Sequence, residues 1–248
     1  MIPFDDRGLL LGDGLFETIL VKDGEAVLFD DHVARLQAGC VALGLPAPHG
    51  EDVRALCQDL DADMASGRWA LRLTLTAGSG GRGLDRTAAP EPHMFATAAP
   101  SPKPEGAVAL LTSDVRRNEG SPTSRLKSLA YLDNILARKI ASPAEALMLN
   151  NRGEIACAAA ANIFWVRGGR LFTPGLDCGV LDGVMRRQVM SLAEVEEVRA
   201  PRAMLEMAEA VFLTSSLIGV RKVVSLDGVN LRGHPLVEEI ARSLAAVS

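Results

Sequence analysis

A proline-rich break, Ala98-Ala99-Pro100-Ser101-Pro102-Lys103-Pro104-Glu105-Gly106, divides this chain into two stretches of different rhythm. Prolines this dense fix φ and remove backbone donors, so the break reads as a stiff connection. Before it, strand-like and helix-like runs alternate; after it, short strand-like runs follow one another across glycine-bearing turns. The expectation is a two-domain α+β or α/β protein: a smaller N-terminal α/β domain over 1–98, a linker over 99–106 and a larger sheet-and-helix domain over 107–248. The 248 residues, 48% hydrophobic and 23% charged, suffice for two cores and exclude a disordered chain.

In the first stretch, Leu15 to Val21 reads as a strand between Gly12-Asp13-Gly14 and the hairpin signal Lys22-Asp23-Gly24. Asp31 to Leu43 predicts a helix with Val33, Leu36, Cys40 and Leu43 on one stripe and Gly44 past its end. Val53, Leu56, Leu60 and Met64 mark a second helix. From Arg68 to Ala77, alternation puts Arg72 on one face with Ala70, Thr74 and Thr76 and the leucines on the other. An arginine there needs an anion, which is either a surface carboxylate or a bound phosphate. The dense glycines of Gly78-Ser79-Gly80-Gly81-Arg82-Gly83 predict a flexible loop beside a ligand. They lack the spacing of a nucleotide-binding loop.

In the second stretch the predicted strands are 108–112, 145–149, 154–157, 162–166, 170–173 and 210–216, with 217–226 continuing the sheet. Leu129, Leu132, Leu136 and Ile140 recur at helical spacing after Ser128, which predicts a helix stopped by Pro143 with Lys127 at its mouth. Lys127 reads either as a solvated lysine before a helix or as an amine that condenses with a carbonyl cofactor. Leu181-Asp182-Gly183 opens a helix carrying Met185 and Val189, whose first amides suit an anion. The hydroxyls of Thr214-Ser215-Ser216 serve either a phosphate or a turn. A last helix starts at Pro235.

A net charge of -5 without a basic run argues against nucleic acid as a partner. No apolar run reaches the roughly 20 residues of a membrane span, and the N-terminus lacks a signal peptide's regions, so a cytoplasmic protein without a membrane partner is expected. Cys40, Cys57, Cys157 and Cys178 show no zinc spacing, so no metal is expected, and they read as unpaired thiols.

An amine, an arginine, a helix start and a hydroxyl cluster together make the parts list of a pyridoxal 5'-phosphate (PLP) site. The chain resembles the class IV aminotransferases, the fold-type IV PLP enzymes with the D-amino acid aminotransferase-like fold. The resemblance runs in order through Gly12-Asp13-Gly14-Leu15-Phe16-Glu17-Thr18, Asp31-His32-Val33-Ala34-Arg35-Leu36, Leu71-Arg72-Leu73, Lys127, Ala161-Asn162-Ile163-Phe164-Trp165, Leu171-Phe172-Thr173-Pro174-Gly175-Leu176 and Leu181-Asp182-Gly183-Val184-Met185-Arg186. It implies that Lys127 anchors PLP as a Schiff base and carries a proton, and that Arg72 grips the phosphate with the Val184 and Met185 amides and the Ser216 hydroxyl. It implies also that Leu181 packs on the ring and that Thr18 and the Gly78 loop border a small amino substrate. A homodimer with PLP in the cleft between the domains is expected by the same resemblance.

One position departs from the family. Where its members carry a glutamate that keeps the pyridine nitrogen protonated, this chain has Cys157, and a thiol is a poor substitute. Glu154, three residues earlier, faces the other side of a strand. Thr18 after Phe16-Glu17, together with the Gly78 loop, resembles 4-amino-4-deoxychorismate lyase, which eliminates pyruvate to give 4-aminobenzoate. A class IV aminotransferase for D-amino or branched-chain acids is the alternative, and a degenerate PLP-binding homologue marked by Cys157 is a third reading.

Overall fold

A computed structural model describes residues 2–58, 60 and 64–246. The chain divides into two compact units: Met1–Lys103 with Leu126–Ala130, and Pro104–Arg125 with Tyr131–Ser248.

The first unit is a four-stranded antiparallel sheet in the order β2 (Glu25–Ala26), β1 (Gly14–Lys22), β3 (Arg68–Thr76), β4 (His93–Pro100). Alternation decides its faces. Leu15, Ile19, Val21, Leu71, Leu73 and Leu75 are buried with Val33, Leu36 and Cys40 of helix α2 (Phe29–Leu43) and Val53 of α3 (Gly50–Gln58). The register puts Phe16, Thr18, Thr74 and Arg72 on the opposite face. Gly44 ends α2 in the left-handed conformation its position demands (φ 64°). The second helix is shorter than its apolar spacing promised, and its expected continuation toward Met64 crosses residues outside those described. β4 runs through Ala99 and Pro100, which the sequence placed in the connection. It is an edge strand, where a proline's missing N–H costs no ladder bond. A five-residue helix, α1 (Arg7–Leu11), precedes β1, capped by the Asp6 side chain at its start and ended by Gly12 at φ 67°.

The second unit is built on a nine-stranded mixed sheet. Its strands are β5 (Val108–Thr112), β6 (Glu145–Leu149), β7 (Ile155–Ala158), β8 (Asn162–Arg167), β9 (Arg170–Pro174), β10 (Val195–Val198), β11 (Ala210–Ser215), β12 (Gly219–Leu226) and β13 (Val229–Asn230). Their order is β10-β9-β8-β11-β12-β5-β6-β7, with β13 beside β12. Ile163, Trp165, Val211 and Leu213 enter one core, while Phe164 stacks on Phe212 from the alternate positions at 5.1 Å between ring centroids. Its helices are α4 (Leu132–Ala141), α5 (Val184–Leu192), α6 (Ala203–Glu206) and α7 (Pro235–Ala245).

The helix expected to begin at Ser128 begins instead at Leu132. Residues 127–129 are held extended along β1: Phe16 N donates to Lys127 O (2.9 Å), Leu129 N donates to Gly14 O (3.0 Å), and Leu15 bridges Ser128. Hydrogen bonding to a strand edge thus overrides the helical spacing. The apolar stripe of α4 also points the other way from expectation. Asn134, Ala137 and Ala141 are buried, while Leu132 is 71% and Ile140 67% exposed.

Candidate active site

The pairing of residues 127–129 with β1 places Lys127 level with Phe16, and its Nζ lies 4.2 Å from the centroid of that ring. The Arg72 guanidinium carbon lies 3.9 Å from the same centroid. Thr18 pairs directly with Arg72 across β1 and β3, and Thr97 pairs with Arg72 from β4. An amine, a guanidinium and a hydroxyl residue therefore share one face of the first sheet, with Thr74, which the alternation had placed beside Arg72.

The amine is tuned from behind. Burial comes first in lowering the Lys127 ammonium to about 8, the Arg35 charge adds to it, Glu17 opposes it and Arg72 contributes further. At pH 7 roughly a tenth of such amines are neutral, about 300 times the fraction for an ordinary lysine. Glu17 stands on the buried face, where His32 Nδ1 meets its Oε2 at 2.7 Å and Arg35 Nε donates to its Oε1 at 2.8 Å. Burial opposes ionisation of Glu17, but the hydrogen bonds from Arg35 and His32 outweigh it and hold the carboxyl at about 2. No motif in the sequence assigns these three residues a role. The signal was present: Glu17 falls in phase with Leu15 and Ile19, His32 lies one helical turn before Leu36 and Arg35 follows His32 by three residues, so a buried carboxylate had to meet basic partners.

In the second unit, Gly183 precedes α5 without any side-chain cap, leaving the first-turn amides of Val184 and Met185 available to an anion. Asn162 fixes this turn by donating from Nδ2 to Leu181 O (2.9 Å). A Cβ on Gly183 would fall 2.0 Å from Asn162 Oδ1, so only glycine fits there. Arg186 anchors the helix from beneath through Pro174 O (3.2 Å) and Glu197. Ser216 follows β11 in the turn to β12, and both Leu181 and Ser216 are half-buried.

Cys157 lies in β7 opposite Met148, packed among Ala137, Ala146, Ala159 and Val180. Burial pushes its thiol up, against the pull of Arg117. Arg117 itself spends its guanidinium on Gly179 O, Asn134 Oδ1 and Ser124 O. Glu154 is engaged by Asn150 Nδ2 and Arg152 Nε in the preceding turn, as expected for a residue that does not stand in for Cys157. The buried amine of the first unit suits an aldehyde and the uncapped helix start of the second suits an anion, whereas a neutral thiol at Cys157 does not suit a protonated pyridine nitrogen.

The amino-transferase class IV family matches residues 14–226. This chain belongs to that family. It is accordingly a PLP-dependent enzyme with the fold of the fold-type IV enzymes. It is 30% identical to an aminodeoxychorismate lyase of Bacillus subtilis over 92% of this chain and 82% of that protein. It is 28% identical to a D-alanine aminotransferase of Listeria monocytogenes over 93% and 84%. The solved structure of 4-amino-4-deoxychorismate lyase from Pseudomonas aeruginosa superposes with a TM-score of 0.90 at 30% identity, covering 99% of this chain and 95% of that one.

Proposed function

We propose that this class IV enzyme is a 4-amino-4-deoxychorismate lyase, releasing pyruvate and forming 4-aminobenzoate. The observation that carries this reading is Thr18, a hydroxyl residue on the face shared by Lys127 and Arg72. PLP supplies an electrophilic carbonyl for the substrate amine and draws electrons from the carbon that bears it. Lys127 holds the cofactor and, when neutral, takes the proton from that ring carbon; its lowered basicity lets it act near neutral pH. The C–O bond to the enolpyruvyl group then breaks with its electron pair leaving on the oxygen, and Thr18 donates a proton to the methylene carbon and regains one from the ammonium that Lys127 has become, giving pyruvate. Arg72, the Val184 and Met185 amides and the Ser216 hydroxyl are the proposed phosphate ligands, with Leu181 against the ring. Aromatisation of the product drives bond cleavage, so a site with Cys157 in place of a carboxylate tolerates elimination better than repeated carbanion chemistry.

The test is pyruvate release from aminodeoxychorismate by the PLP-loaded protein; no pyruvate from a folded, loaded enzyme defeats the lyase reading. The likeness to a D-alanine aminotransferase supports the second reading, a class IV aminotransferase for D-amino or branched-chain acids. That activity registers as amino exchange dependent on a 2-oxo acid. The exposed Leu132, Ile135, Leu136 and Ile140 on α4 support a homodimer, since an apolar stripe of this length is costly in water. The working location proposed is the cytoplasm; among the described residues no helix is long and apolar enough to cross a membrane.

A further inference from the structure

The glycine-rich loop, expected to be flexible, is clasped. Arg7, buried at the start of α1, donates from Nη1 to Gly83 O (3.2 Å) and Asp85 O (3.1 Å) and from Nη2 to Leu84 O (3.0 Å). One guanidinium thus gathers three consecutive carbonyls. Its Nε donates to Asp13 Oδ2 at 2.9 Å. Arg86, at the far end of the loop, reaches the same carboxylate from Nε (2.9 Å) and Nη2, and donates from Nη1 to Leu43 O at the end of α2. The loop's stems are tied as well, by Arg7 N to Gly78 O and by the Asp6–Ser79 bridge. Gly78 and Gly81 have no alternative: a Cβ would lie 1.9 Å from Glu91 O and 2.1 Å from Asp85 O respectively.

Asp13 sits at the centre of this clasp and also in the turn that meets the lysine segment. Its neighbour Gly12 faces Ala130 at ordinary contact distance, and a Cβ on Gly14 would lie 2.8 Å from Leu129 Cδ1. Ala77 N donates to Asp13 O (2.9 Å), which binds the turn to the end of β3. The Arg86 and Arg7 hydrogen bonds keep the Asp13 carboxyl below the usual carboxylate range, so it stays ionised through the working pH range.

We propose that Asp13 is a positioning residue: through Arg7 and Arg86 it fixes loop 81–86 against the turn that packs on the Lys127 segment, so that the loop meets the substrate already ordered. Substrate binding then spends no free energy on ordering the loop. This rests on the lyase reading for the identity of the substrate and on the family resemblance for the loop's place beside it; the clasp itself depends on neither.

The experiment compares wild-type holoenzyme with Asp13→Asn, Arg86→Gln and the double variant. Limited trypsin digestion is read at the exposed Arg82–Gly83 bond, with the Arg167–Gly168 turn of the second unit as internal reference. The expected result for Asp13→Asn is about tenfold faster cleavage after Arg82 with cleavage after Arg167 unchanged. KM for aminodeoxychorismate rises about tenfold while kcat moves by less than about threefold, and Arg86→Gln does the same with the double variant no worse than either single one. Unchanged cleavage after Arg82, equal acceleration after Arg167, or full additivity in the double variant overturns the proposal. The digestion needs no turnover, so an enzyme that releases no pyruvate defeats the lyase reading while leaving the clasp to be judged by its own bond.

Discussion

Lys127→Met should stabilise the cofactor-free protein, and should do so only below about pH 10. Methionine keeps the length of the side chain and removes the charge. The Lys127 ammonium is pushed from 10.5 to about 8, first by burial and then by Arg35 and Arg72. The folded state therefore holds the proton less tightly than the unfolded chain, and wild-type stability must rise with pH between about 8 and 10.5 and carry its full penalty below 8. At 1.36 kcal/mol per pH unit that penalty is about 3 kcal/mol, and residual contact with solvent brings the expected gain from Lys127→Met to about 2 to 3 kcal/mol at pH 7. Urea midpoints of the two apoproteins between pH 6.5 and 10.5 measure it. The gap should be widest below pH 8 and close toward 10.5. A variant no more stable than wild type, or a gap independent of pH, refutes the claim that the fold strains this amine for chemistry.

Gly183→Ala should raise the PLP dissociation constant at least about tenfold with the fold intact, because its Cβ would displace Asn162 and the turn that presents the Val184 and Met185 amides; cofactor titration by absorbance checks it. Cys157→Glu should shift the balance toward 2-oxo acid-dependent amino exchange and away from pyruvate release by about tenfold; equal changes in both activities contradict the view that the thiol suits elimination. Ile135→Glu together with Ile140→Glu should turn a homodimer into monomers in sedimentation, since both side chains are exposed on α4; an unchanged assembly places the interface elsewhere.

The strands were the most legible part of the sequence, because alternation names both the element and its buried face. Arg68–Thr76 could be read that way, and Ala210–Ser215 as a continuous apolar run buried on both faces. β4 could not: its run of Ala96, Ala98 and Ala99 with Pro100 carries little apolar contrast, and cross-strand pairing with β3 makes it a strand. The spacing of Leu132, Leu136 and Ile140 revealed a stripe but not what covers it, and the buried face proved to be small residues instead. Lys127 was legible from its motif, but its geometry was not, since the bonds that draw it to β1 join residues more than a hundred positions apart. The Glu17, His32 and Arg35 cluster joins β1 to α2 over 15 to 18 positions, where only the phase of each element hints at it, and the clasp at Asp13 gathers Arg7 and Arg86 from either side of β3 in the chain.

Both the lyase and the aminotransferase readings require Lys127 to be the amine that holds PLP. The most direct measurement is borohydride reduction of the PLP-loaded protein followed by peptide mass analysis. The pyridoxyl label is expected on the peptide containing Lys127 and absent from Lys127→Ala. A label on Lys22, Lys103, Lys139 or Lys222 instead, or none on a folded and loaded protein, would contradict the account.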